Sequence, residues 1–168
     1  MDTIEHGKAS LARQYDALAH QFNQLYQQGR ERGHAAMQAA LEQAREQLTA
    51  LGEFGAEQGQ ELKRYLARDL EQTIRETEQL GDKAKEWLNP ARLGAGALAS
   101  LASALSASGD ALSSLGKKTR EALSYHTGET TSAGTLTCKS CGQTVQLKAT
   151  GHVPPCPKCH ASNFSKGY

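Results

Sequence analysis

Cys138-Lys-Ser-Cys141, fourteen further residues, then Cys156-Pro-Lys-Cys159: all four cysteines of the 168-residue chain fall in this stretch, as two Cys-x-x-Cys pairs. Two intervening residues make each pair a tight knuckle that aims both sulfurs at one point. The loop between the pairs is long enough for a hairpin that brings the knuckles together. Four thiolates in that arrangement suit one tetrahedral, structural Zn²⁺ held by Cys138, Cys141, Cys156 and Cys159. A redox-active dithiol pair and an iron site are the alternatives. The chain opens Met-Asp-Thr-Ile-Glu, with neither the basic nor the apolar part of a secretory signal. Stable disulfides are therefore not expected, and the reading is a cytoplasmic protein in a reducing compartment.

Around the cysteines the sequence reads as a small β module. Gly142 follows the first knuckle, where the turn calls for positive φ. Pro157 stiffens the second, and His160 stands where the first knuckle has glycine. Thr135 to Thr137 leads into the first knuckle as a strand, Thr144 to Lys148 alternates as a half-buried strand, and Asn163 to Ser165 gives a last one. The expected core is Leu136, Val145, Leu147, Val153 and Phe164. So small a core cannot keep the module folded without its metal, whose binding free energy is folding free energy. His152 and His160 are turn residues in this reading, with His160 placed to donate to a thiolate from outside the ligand set.

Upstream the pattern is helical. Ile4, Leu11, Leu18 and Leu25 recur every seven residues, with Tyr15 and Phe22 between them, over a helix at 4–28. Met37, Leu41, Ala44, Leu48 and Leu51 repeat the alternation over 34–51, and Leu66, Leu70, Thr73, Thr77, Leu80, Ala84 and Trp87 carry it from 56 to 88. Asn89-Pro90 ends the third helix. The fold class is mainly α, an elongated helical hairpin or coiled-coil-like body followed by a small C-terminal β zinc ribbon. The boundaries are 1–90 for the helical region, 91–126 for an Ala/Ser/Leu/Gly-rich helix and the start of a linker, and 127–168 for the rest of the linker and the ribbon. Tyr125 to Gly134 reads as turn-rich linker. The stripes bury against each other or against a second chain. The longest uncharged run, Leu93 to Gly109, has 17 residues and only four leucines, too short and too weakly apolar to span a bilayer. Lipid contact through 91–115 is the less favoured use of that segment, and disorder is a further alternative.

Charge is unevenly placed. Residues 1–90 carry 11 basic and 15 acidic side chains, whereas 131–168 carry four lysines and no acids. Lys139, Lys148, Lys158 and Lys166, with Phe164 and Tyr168 available for stacking, suggest nucleic acid. Four thiolates and one Zn²⁺ add −2, however, which leaves a weak footprint beside an acidic body. Sequence motifs for catalysis are missing: there is no His-Glu-x-x-His, phosphate-cradling glycine loop or Gly-x-Ser-x-Gly elbow. The one Glu-x-x-His spacing, Glu31 to His34, falls short of the two that a di-iron bundle needs. Arg68-Asp69 reads as a solvated pair or a helix–helix salt link.

Two stretches carry a family resemblance. Leu51-Gly-Glu-Phe54 through Tyr65-Leu-Ala-Arg-Asp-Leu70 is one; Tyr125-His126-Thr-Gly128-Glu129, with Gly134-Thr-Leu-Thr-Cys138, Cys141 and Pro155-Cys-Pro-Lys-Cys159, is the other. In these the chain resembles the bacterial YbeL-like zinc-ribbon-containing family, a family of unknown function. The resemblance implies a cytosolic helical protein with a C-terminal zinc ribbon, and a docking patch around Tyr125-His126 and Gly128-Glu129. It brings no reaction or substrate. Residues 91–115 and His160, where the family has glycine, depart from its pattern. The expectation is a non-enzymatic zinc-binding interaction, adaptor or regulatory protein, with a protein partner or self-association through the helices. The alternatives are a nucleic-acid-associated ribbon and a thiol redox sensor.

Overall fold

Three helices come first: α1 (Asp2–Gln28), α2 (His34–Ala50) and α3 (Ala56–Leu80). The computed structural model describes residues 2–29, 33–80 and 123–167. The turn at Arg30 to Arg32, the expected continuation of the third helix through Trp87, most of the Ala/Ser/Leu/Gly segment and Tyr168 lie outside the described residues.

The apolar stripes meet in one core. α1 contributes Tyr15, Leu18, Ala19, Phe22 and Tyr26; α2 contributes Met37, Ala40, Leu41, Ala44 and Leu48; α3 contributes Leu62, Leu66, Leu70 and Ile74. Each large apolar side chain removed from water stabilises the fold by about 2 kcal/mol. Leu51, expected on the α2 stripe, is instead 76% exposed, because the helix ends one residue before it. The ending has a clear cause. Gly52 takes φ +77°, its N–H donates to the Thr49 carbonyl, and the Glu53 N–H reaches back to Leu48. This Schellman arrangement satisfies the last carbonyls of α2 and turns the chain toward α3. Phe54 then folds into the core beside Gly59. At the rim of the bundle, Glu42 of α2 accepts from its own-helix neighbour Arg45 and from Lys63 of α3.

Six strands follow: β1 (Tyr125–His126), β2 (Thr130–Thr131), β3 (Gly134–Cys138), β4 (Thr144–Leu147), β5 (Gly151–His152) and β6 (Asn163–Gly167). A four-stranded antiparallel sheet has the order β1-β6-β3-β4, and β2 pairs with β5 as a separate ribbon. Tyr125 to Gly134 is thus not a plain linker. Tyr125 pairs with Phe164 at the sheet edge, and Thr131 pairs with Gly151. The expected core residues Leu136, Val153 and Phe164 are fully buried, Val145 and Leu147 pack on them half-buried, and Tyr125, Cys138 and Cys156 complete the cluster. The sheets rest on the helices: β2 and β5 lie on α1, and β2 also touches α3.

Candidate metal centre and the helix–ribbon interface

β3 delivers Cys138, the tight turn after it presents Cys141, and the Pro154-Pro155 approach after β5 leads to Cys156 and Cys159. The knuckles have the same backbone. The Gly142 N–H donates to the Cys138 carbonyl and the His160 N–H to the Cys156 carbonyl, both at 2.9 Å. Both closing residues are left-handed, Gly142 at φ 72° as expected and His160 at φ 58°. His160 is the one described non-glycine residue with positive φ, and its side chain is exposed.

The four sulfurs lie within 4.8 Å of one another. Cys138 and Cys159 are 3.6 Å apart and Cys141 and Cys156 3.5 Å. Tetrahedral Zn–S bonds of about 2.3 Å place sulfurs about 3.8 Å apart, whereas a disulfide needs about 2.05 Å. The donor set therefore fits one zinc, and all four residues are free cysteines.

The knuckle backbone prepares the thiolates. Burial would raise the Cys138 thiol, but the N–H groups of Cys141 and Ser140 hold it below its ordinary value. Burial likewise opposes ionisation of Cys156; the Cys159 and Lys158 N–H groups and the neighbouring thiols bring it down to about 6. At Cys159 the Ala161 N–H pulls downward, yet Cys141, burial, Cys156 and Cys138 together push the thiol up to about 12. Four sulfurs packed this closely oppose one another's ionisation, and the charge of a zinc ion would offset that opposition.

The second constellation joins the ribbon to the helices. Asp69 of α3 has a fully buried side chain. Its carboxylate accepts from the Tyr15 hydroxyl of α1 at 2.6 Å, the Thr131 hydroxyl at 2.8 and 3.0 Å, the Ser132 N–H at 2.9 Å and the Ser132 hydroxyl at 3.1 Å. Lys166 of β6, also buried, stands 3.5 Å from it and donates to the Thr131 hydroxyl and to the carbonyl and hydroxyl of Ser132. Burial would push the Asp69 carboxyl up, but Lys166, Arg68, Tyr15 and the Ser132 N–H hold it below the usual carboxylate range. Beside it Arg68 pairs with Glu129, donates to the Ser124 carbonyl at 3.2 Å, and lies 3.9 Å from the Tyr125 ring centre.

Arg68-Asp69 is not a solvated pair: Asp69 links α3 to Tyr15 of α1 by a hydrogen bond, and the two residues together seat the ribbon. Lys166 faces Asp69 rather than solvent, and Phe164 is fully buried, so neither is available to a nucleic acid. Glu129 does dock on the helices, as the family resemblance implied, and its carboxylate also accepts from the His126 N–H. The spacing around Asp69 itself marks a buried position. Leu62, Leu66, Asp69 and Thr73 follow the 4-3-4 pattern of a buried face, where an aspartate needs partners.

No curated protein and no solved structure matches the chain. A family model described as a zinc-ribbon containing domain matches residues 24–167, which takes in the end of α1, the Asp69 seat and all four cysteines. With this family and the cysteine geometry in agreement on one structural zinc, the chain belongs to the zinc-ribbon containing domain family.

Proposed function

We propose that this is a non-enzymatic zinc-binding interaction protein, an adaptor or regulator whose zinc-held ribbon is its recognition surface. What supports this most is the use to which its reactive-looking side chains are put. Asp69, Lys166, Arg68 and Glu129 are all engaged in holding the ribbon to the helices, and Asp69 and Lys166 are sealed from solvent. The outer knuckles, by contrast, expose Lys139, Ser140, Pro157, Lys158, Cys159 and His160. The helical stripes that suggested self-association or a coiled coil are turned toward one another, and Leu51 is the single large apolar side chain exposed among the described residues. The ribbon is therefore favoured over the helices as the partner-selecting part. A reducing compartment, the cytoplasm, is the location that belongs with this reading, and four cysteines free of disulfides support it. None of the described helices is long and apolar enough to cross a membrane.

The test is quantitative affinity capture from native cells with three baits: wild type, Cys156→Ser/Cys159→Ser, and the surface variant Lys158→Ala/His160→Ala with its zinc content verified. A partner enriched by wild type and lost with both variants is the expected outcome. A monomer that captures nothing above background would remove the reading.

Nucleic-acid association is the second reading, supported by three exposed lysines, Lys139, Lys148 and Lys158. Their charge is largely offset by the −2 of a zinc tetrathiolate, and Lys139 already donates to the Ser124 hydroxyl at 2.6 Å. Binding that weakens steeply across a salt series would favour it. The exposed Cys159 leaves redox sensing as a third reading, tested by zinc release on peroxide treatment.

A further inference from the structure

The two knuckles and the Asp69 seat are joined by short, direct backbone routes. Cys138 pairs across the sheet with Phe164, two residues before Lys166 on the same strand. Thr131 pairs with Gly151 of β5, and Val153, just beyond β5, donates from its N–H to the Glu129 carbonyl before the chain enters the second knuckle. Lys166 is thus placed through the first knuckle's strand pair, and Thr131 and Glu129 through the approach to the second. A metal that clamps one knuckle to the other fixes the spacing of the groups around Asp69. The ribbon's own core, which includes Cys138 and Cys156, is too small to fix it alone.

We propose that the ribbon is a metal-gated cover on the α1–α3 face. Zinc holds Lys166, Thr131, Ser132 and Glu129 in register over Asp69 and Arg68. Zinc loss dissolves that register and uncovers the face around Tyr15, Asp69 and Thr73. Three further contacts release with it: Thr150 to Asp16 at 2.7 Å, Gln72 to the Lys166 carbonyl at 2.8 Å, and the Arg68–Tyr125 stack. Coupling of this kind is reciprocal. If zinc secures the cover, the docked helices tighten zinc by the same factor. The device stands on the metal site and the interface, not on the interaction-protein reading, and its test needs no partner.

Two measurements on the full chain decide it. In the first, amide hydrogen exchange is followed in zinc-loaded protein and in protein stripped by chelator under reducing conditions. The expected result is a rise of about 10-fold or more in exchange along Leu62 to Arg75 of α3, with a smaller rise along Met37 to Leu48 of α2. In the second, zinc affinity is measured by competition with a chromophoric chelator for wild type, Asp69→Asn and Glu129→Gln, with cobalt spectra confirming an intact four-thiolate site. Asp69→Asn is expected to bind zinc about 10-fold more weakly, and Glu129→Gln to shift it the same way by less. If Asp69→Asn does not fold, Glu129→Gln carries the comparison. Exchange that changes only within 123–167, or zinc affinity equal to wild type in the folded variants, overturns the proposal.

Discussion

Asp69 shows how one residue can hold two parts of a chain together. A carboxylate stripped of water is costly, and it stays ionised because Lys166, Arg68, Tyr15 and the Ser132 N–H favour the charged form more than burial disfavours it. Removing that charge leaves Lys166 buried without its counter-ion. Asp69→Asn should therefore cost about 3 kcal/mol in urea unfolding, and Asp69→Asn/Lys166→Met less than the sum of its singles. The pH dependence follows from the direction of the shift. A carboxyl with a folded pKa below its unfolded value of about 3.9 contributes stability that is complete above that value. The contribution is lost as pH falls through the folded value. Zinc-loaded wild type should accordingly lose stability more steeply than zinc-loaded Asp69→Asn as pH is lowered toward that value, compared over the range in which the metal stays bound to both. His160 gives a prediction of opposite sign. Its left-handed backbone, φ 58°, is one that glycine adopts freely. His160→Gly should raise the stability of the zinc-loaded protein by about 1 kcal/mol, read as a higher midpoint in urea. If this exposed imidazole serves recognition, the same variant should bind the captured partner less well.

Elements differ in how plainly their sequences announce them. The three helices were legible because each repeats, over 17 residues or more, an apolar spacing that no strand can use. The knuckles were legible because two Cys-x-x-Cys pairs have few other uses. β1 and β2 were not, since each is two residues long and too short for alternation to register. Tyr125 and Thr131 become strand residues only through partners far along the chain, Phe164 and Gly151. For the same reason Lys166 read as surface charge: nothing local to β6 indicates that a carboxylate from α3 meets it. Within α3, Gly59 is a packing residue rather than a weak point. A Cβ there would meet Phe54 ring carbons at 2.7 and 2.9 Å and the Arg45 side chain at 3.2 Å. Alanine gains about 1 kcal/mol in helix propensity, but overpacking costs about 1–3 kcal/mol. Gly59→Ala should thus be destabilising by about 1 kcal/mol in denaturant titration, and Gly59→Ala/Phe54→Leu should recover part of the loss. A stabilised Gly59→Ala would show that Phe54 moves aside without resistance.

At the scale of the whole molecule, two cores of unequal independence are fastened by one polar seam. The helical core draws on all three helices and contains no metal ligand, whereas the ribbon core includes two of the four zinc cysteines. Chelation should therefore remove the ribbon's structure and leave most of the far-UV helical signal. The seam determines how the loaded protein melts. Asp69 and Arg68 form much of the helix–ribbon contact and cannot lose the ribbon without being left unpaired or rehydrated. Zinc-loaded protein should consequently unfold in one cooperative calorimetric transition. Stripped protein should show a smaller transition at lower temperature, because the helices then melt without the ribbon's support. Asp69→Asn loaded with zinc is the informative intermediate: with the metal in place but the seam weakened, its transition should broaden or split in two. Two separate transitions in loaded wild type would mean that the parts are stable independently, and that the buried Asp69–Lys166 pair positions the ribbon without coupling its stability to the helices.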